Sequence, residues 1–173
     1  MASSLSGRTS RWAENRCIVE LSGGTKAVET PPRGYMHTTD YFNELGVGHL
    51  PAYLGISITH LGPQEVVAEL RVRAELMAPN GFLHAGSVVT LADTCSSYGC
   101  IASLPEGASG FTTVELKSNH LGTTRDGTIV CVAKAAHVGK STQVWDAVVT
   151  HKESGRKLAL FRCTQMVLYA RGT

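Results

Sequence analysis

The sequence predicts an α+β fold in which an antiparallel sheet wraps one long central helix. Three observations carry that prediction. The run from Ser87 to Ala102 has a helical pattern, and Asp93 is the only charged residue between Glu75 and Glu106. Stretches on both sides of this run alternate apolar and polar residues as half-buried strands do. The strands that follow it are near ten residues long with hairpin-sized connections, which favours antiparallel pairing over βαβ crossovers. The order reads β-β-α-β-β-β-β, and a long apolar helix in that context needs a curved sheet around it.

Composition sets the outer bounds. A chain of 173 residues predicts one domain with a single proper core. A hydrophobic fraction of 43% with 17% charged residues fits a soluble globular protein with much buried surface, of the kind found in oligomers. The formal charge is only +2 and no Lys/Arg cluster faces a row of phosphates, so no nucleic acid partner is expected. No apolar run approaches the roughly 20 residues that span a bilayer, so no membrane association is expected. Cys17, Cys95, Cys100, Cys131 and Cys163 are odd in number and lack CxxC spacing. The last four lie in apolar elements and read as reduced core residues of a cytoplasmic protein. The histidines form no HxxxH or HExxH pattern, and no metal is expected.

Residues 1–35 are rich in Ser, Gly, Thr and Arg and end in Pro31-Pro32-Arg33-Gly34. They lack the apolar region of a secretory signal and read as a disordered or flexible arm before a single domain over residues 36–173. Met36 is an alternative start, because Met36-His37-Thr38-Thr39-Asp40 opens directly into a helix cap. Thr39 or Asp40 caps a short helix, Tyr41–Gly46, and His49–Gly55 continues as a loop or second short helix. Ile56–Leu61 and Val66–Val72 form a hairpin about Gly62-Pro63. Pro79 and Gly81 then deny helix until His84–Gly86, and the long helix ends before Pro105. Four strands follow, Thr112–His120, Thr128–Val138, Thr142–His151 and Lys157–Leu168. Their turns are Arg125-Asp126-Gly127, Gly139-Lys140-Ser141 and Glu153-Ser154-Gly155.

At 100° per residue, Val88, Leu91, Cys95, Tyr98, Gly99 and Ala102 share one face of the central helix. Gly86, Thr90, Asp93 and Ser97 share the other. Two readings of Asp93 fit that wheel. It is the one charge on the wet face of an ordinary amphipathic helix, or it is a reactive carboxylate on a face pressed against a ligand or another chain. The absence of Lys, Arg and Glu from that face is unlike a solvent-exposed helix surface. Small polar neighbours suit a nucleophile or base. Composition leaves both readings standing.

Several motifs recur in a known order: Gly81-x-Leu83-His84-x-Gly86, an acid nine positions after the histidine, Ser97 four further on, Lys117-Ser118-Asn119-His120, and His137-x-Gly139-x-x-x-Gln143-Val144-Trp145. From Tyr53 to Leu168 the chain resembles the hotdog-fold acyl-CoA thioesterases of the phenylacetate-degradation, 4-hydroxybenzoyl-CoA and 1,4-dihydroxy-2-naphthoyl-CoA types. The resemblance implies that Asp93 attacks the thioester carbonyl or activates water. It implies that the Ala85 and Gly86 N–H groups polarise the thioester oxygen at the helix N-terminus. His84 would position the loop or the thioester, and Ser97 would contact water or the acyl group. The family's usual Gln or Asn, six residues before the histidine, is replaced by Ala78; Asn80, two positions on, is the available substitute.

Gly139, Lys140, Ser141 and Thr142 mimic the end of a Walker A loop, but Lys134 stands where that motif needs glycine, between strand residues. They read as a polar hairpin turn, or, by the resemblance, as a binder of the CoA pantetheine and phosphates. Asn119 and His120 read as solvent-facing strand ends, or by resemblance as a CoA channel at a dimer seam. Phe82 and Tyr98 would shape the acyl pocket, and Trp145 reads as packing. The resemblance implies a homodimer or dimer of dimers with the active site between subunits, an acyl-CoA substrate with aromatic acyl favoured, and no cofactor beyond the substrate's own CoA. Two other functions are carried by hotdog proteins: hydratase or dehydratase chemistry, and acyl-CoA sensing without catalysis. The first needs a His–acid pair elsewhere and a Pro/Gly-rich lead-in; the second usually loses the helix carboxylate.

Overall fold

The structure is a computed structural model that describes residues 37–170 and, before them, three short strands. These are β1 (Trp12–Ala13), β2 (Arg16–Val19) and β3 (Lys26–Val28), which pair antiparallel with Cys17 opposite Trp12 and Val28. The chain divides into two compact units, Met1–Met36 and His37–Thr173. The rest of the arm expected over 1–35, and the alternative start at Met36, lie outside the described residues.

The second unit opens with α1 (Thr39–Leu45) and α2 (Leu50–Leu54). The cap of α1 is Thr38, not Thr39 or Asp40: it holds an extended backbone and its hydroxyl accepts from Tyr41 N–H at 3.1 Å. Three neighbouring residues have capping side chains, and only the one outside the helical dihedrals can serve. Phe42 of α1 is fully buried and stacks on Tyr98 at 4.7 Å. Asn43 clamps the first strand by exchanging hydrogen bonds with Ile58 N–H (2.7 Å) and C=O (3.1 Å).

The main sheet contains β4 (Ile56–Gly62), β5 (Glu65–Arg71), β6 (Ala108–His120), β7 (Thr128–Val138), β8 (Thr142–His151) and β9 (Lys157–Tyr169). All pairings are antiparallel, in the order β4-β5-β7-β8-β9-β6. The sequence predicts these strands closely, but not their order. The turn Arg125-Asp126-Gly127 joins strands that do not pair, for β6 lies at the far edge beyond β9. Seven residues, 121–127, span three strand spacings, about 14 Å, well within the reach of an extended segment of that length.

The central helix α3 (Ala85–Ala102) packs against one face of the sheet and touches all six of its strands. Val88, Leu91, Cys95, Tyr98 and Gly99 are buried as the wheel predicts, whereas Ala102 is exposed at the helix end. A Cβ on Gly99 would stand 2.5 Å from the Trp145 ring, so glycine is what lets the helix rest on that fully buried indole. Trp145 is therefore packing, and its Nε1–H donates to Gln143 Oε1 at 2.9 Å. The buried Cys95, Cys100, Cys131 and Cys163 are free thiols.

Candidate active site

The N-terminus of α3 is built by its preceding loop. Met77 and Leu83 bridge antiparallel, Gly81 takes φ 78°, and Leu83 N–H donates to Thr124 C=O at 2.9 Å. The last bond ties this loop to the β6–β7 connection. Between the two loops opens a cleft of about 340 Å³ lined by Ala78, Asn80, Phe82, His84, Ala85 and His120, with Leu83, Val88, Gly122 and Thr123. It sits at the positive end of the helix dipole.

His84 caps α3. Its Nδ1 accepts from Gly86 N–H at 2.8 Å. A backbone N–H can only donate, so Nδ1 carries no proton and the neutral ring keeps its hydrogen on Nε2. A Cβ on Gly86 would lie 2.9 Å from Nδ1, so glycine gives the ring its place. The two expected oxyanion donors are consequently unequal. Gly86 N–H is engaged by the cap, while Ala85 N–H meets no acceptor among the described residues. Asn80 Oδ1 accepts from Phe82 N–H at 3.2 Å, which leaves the amide's own N–H groups at the cleft.

Asp93 lies eight residues along α3 from Ala85, about 12 Å at 1.5 Å per residue. Its carboxylate is half-buried, and Oδ1 has no hydrogen-bond partner. No cation pairs with it among the described residues, and burial holds its pKa above the usual aspartate range. Cys163 lies beneath it; burial, and after that the Asp93 charge, push that thiol up to about 12, so it stays protonated. One turn on, Ser97 Oγ accepts from Gln165 Nε2 at 3.1 Å. Thr90 is spoken for: its hydroxyl donates to Gly86 C=O at 2.8 Å.

The remaining expected residues scatter. His120 faces the cleft, but Asn119, next to it on a strand, faces the other side of the sheet in a depression with Lys117, Leu160 and Arg162. Side chains alternate along a strand, so one chain cannot place both in one channel. Gly139 to Thr142 form the β7–β8 turn, closed by Gly139 N–H donating to Thr142 C=O at 2.9 Å. That turn lies at the opposite end of β7 from the cleft, 11 residues away. At about 3.3 Å per residue this is some 35 Å.

Three residues at the site escape sequence reasoning. The Arg125 guanidinium lies 4.1 Å above the Phe82 ring at the cleft mouth. Thr123 lines the same cleft. Gln165 is fully buried against α3. Gln165 had a signal, being a polar residue in the inward series Phe161, Cys163, Gln165, Val167; Arg125 had none, because a turn arginine is ordinary.

Comparison with known proteins agrees with this geometry. The thioesterase superfamily model matches residues 80–158. The 1,4-dihydroxy-2-naphthoyl-CoA hydrolase of Listeria monocytogenes is 35% identical over 111 residues, 64% of this chain and 89% of that protein. Its namesake from Escherichia coli is 31% identical over 134 residues, 76% of this chain and 95% of that protein. The crystal structure of a mutant of thioesterase PA1618 from Pseudomonas aeruginosa superposes with a TM-score of 0.74 at 26% identity, covering 78% of this chain and 96% of that one. The chain belongs to the thioesterase superfamily: it is a thioester hydrolase of the hotdog fold.

Proposed function

We propose that the chain is an acyl-CoA thioesterase whose active site is shared between two subunits, with Asp93 as the catalytic carboxylate. The observation that carries this reading is Asp93 itself, half-buried with an unpartnered Oδ1 and no counter-ion among the described residues, on an otherwise uncharged helix face. An ordinary wet helix face does not hold a carboxylate that way. The acyl carbon is attacked by the carboxylate directly or by a water from which Asp93 takes the proton. In the water route the C–S bond breaks and the proton that Asp93 took from water passes to the departing CoA sulfur. In the direct route CoA leaves as the thiolate and the acyl group stays on Asp93 as a mixed anhydride. Water then hydrolyses that anhydride to the free acid and supplies the thiol proton. Water is the only co-reactant, and no cofactor is required. Ala85 N–H, aided by His84 Nε2–H, meets the developing oxyanion.

Reacting groups must come within about 3–3.5 Å of one carbon. Ala85 and Asp93 of one helix, about 12 Å apart along its axis, do not both satisfy this. Two copies with antiparallel α3 helices do, Asp93 of one beside the partner subunit's Ala85. The edge strand β6 supports that arrangement. It is 13 residues long, pairs only with β9 among the described residues, and leaves Val114 61% and Leu116 41% exposed beside α3. A long edge strand that exposes two large aliphatic side chains is normally covered. In such a dimer the CoA phosphates would be met by the partner subunit's Lys140, on its Gly139–Thr142 turn, together with His120 and Arg125 of the chain that holds the cleft. The two matched hydrolases act on an aromatic acyl-CoA by name, which supports an aromatic acyl group here. The four buried free thiols fit a reducing, cytoplasmic setting.

The test is thiol release from a panel of aryl and alkyl acyl-CoAs, wild type beside Asp93→Ala. The variant should lose turnover by a factor of about 10² or more with its fold intact. Absence of release by the wild type on every ester would overturn the reading.

A further inference from the structure

Two glutamines lie side by side in the sheet beneath α3, Gln143 on β8 opposite Gln165 on β9, and both are fully buried. Gln143 has both ends of its amide engaged by the fold. Its Nε2 donates to Ser103 C=O at 3.0 Å, and its Oε1 accepts from Trp145. Gln165 is not. It makes one side-chain bond, Nε2–H to Ser97 Oγ, and its Oε1 is buried with no partner. An amide in an apolar row with a single hydrogen bond and an unpaired carbonyl costs stability that a methionine of similar shape would not.

The direction of that one bond matters. An amide N–H can only donate, so it fills an acceptor position on Ser97 Oγ and leaves the serine's own proton to be donated elsewhere. Helical serines often spend that proton on the carbonyl four residues back. Thr90 does so, and Ser97 has no such bond. Its hydroxyl is therefore held by Gln165 yet still free to donate, one turn from the unpartnered Asp93 Oδ1. We propose that Gln165 is a positioning residue for thioester hydrolysis, fixing Ser97 so that its hydroxyl donates to the reacting group beside Asp93. The inference rests on the thioesterase reading of that helix face.

The experiment is a double-mutant cycle on the acyl-CoA turned over best, using Gln165→Met, Ser97→Ala and the pair, with melting temperature read on each. Gln165→Met should lower kcat about tenfold, the loss of one aimed hydrogen bond, with KM within about twofold and the melting temperature unchanged or higher. In the Ser97→Ala background the same change should have no further effect, because Gln165 acts through Ser97. Gln165→Leu has no donor at any pH, and should lose activity likewise. Unchanged kcat in either Gln165 variant would overturn the proposal. So would a full second loss in the Ser97→Ala background, or a Met variant that melts well below wild type, which would assign the amide to the fold. A wild type that releases no thiol fails the thioesterase reading instead, so the two failures are distinct.

Discussion

Asp93→Asn should make the protein more stable and less active, and the stability gain should grow with pH. The structure leaves Asp93 Oδ1 without a donor, and no cation pairs with the carboxylate among the described residues. A buried unpaired polar group costs about 1–3 kcal/mol. Asp93 is only half-buried, so the low end, about 1 kcal/mol, applies near neutral pH. For a domain of this size that corresponds to roughly 3 °C in melting temperature. Burial raises the folded-state pKa above the unfolded value, so folding favours the protonated acid. The group's contribution is therefore fully present below the unfolded pKa of about 3.9 and is lost as pH rises through the folded pKa. Asparagine has no proton to lose. The melting-temperature gap between variant and wild type should be near zero at about pH 3, be roughly a third developed at about pH 4, and reach its plateau of about 3 °C by about pH 8. Thermal melts followed by circular dichroism across that range measure it, alongside thiol release. Wild-type kcat should rise with pH through the same elevated pKa. A variant less stable than wild type at the upper end of that range, or a gap independent of pH, would refute the argument that Asp93 is held ionised at a cost to the fold.

Two further outcomes follow from the site. Gly86→Ala pushes a Cβ to 2.9 Å from His84 Nδ1 and 3.2 Å from Cε1, displacing the ring that caps α3. The lost cap, about 1 kcal/mol, roughly offsets alanine's better helix propensity, so melting temperature should barely move while kcat falls about tenfold as the imidazole loses its aim; an unchanged kcat would show that the ring's placement is irrelevant to turnover. Pairing Val114→Lys with Leu116→Glu on exposed positions of β6 should convert a dimer to a monomer in sedimentation equilibrium and abolish turnover, because the site needs both chains. A monomer with wild-type kcat would reject the shared site.

Where the sequence carries punctuation, it reads well. The strands β7 and β8 have the expected bounds, Thr128–Val138 and Thr142–His151, because glycine-bearing turns bracket them. Asp93 and Ser97 fall on one stripe by helical period alone. Strand order does not follow from such local signals: a seven-residue link looks like a hairpin whether it closes one or crosses from one edge of the sheet towards its middle. The same limit applies inside the site. Ala85 and Gly86 are equivalent as sequence, and only the His84 side chain, reaching back to one of them, makes Ala85 the free donor. Asn119 and His120 are neighbours in the chain and opposites in space, since a strand turns consecutive residues to opposite faces.

Among the described residues, the buried side-chain atoms without a hydrogen-bond partner are Asp93 Oδ1, Ser96 Oγ, Gln165 Oε1 and Ser118 Oγ. Two lie on α3, and the others on β9 and β6, the pair of strands at one edge of the sheet. If these were defects of packing, they would have no reason to share a location. Ser96 is the simplest to place, since its hydroxyl sits against the Cys163 thiol beneath the helix. The other three forfeit a hydrogen bond that most buried groups obtain, and a hydrophobic substitute was available at each. Asp93 and Ser118 are only partly buried residues, so water, substrate or a facing subunit can bring them donors, whereas Gln165 Oε1 is sealed beneath α3. The C-terminal end of α3 makes the contrast. There Gln143, equally buried and equally polar, has both ends of its amide satisfied within one chain. Buried polar groups at the C-terminal end of α3 are thus satisfied within one chain, and the unpaired ones gather around the middle of α3 and the β6–β9 edge, which is the distribution the proposed site expects.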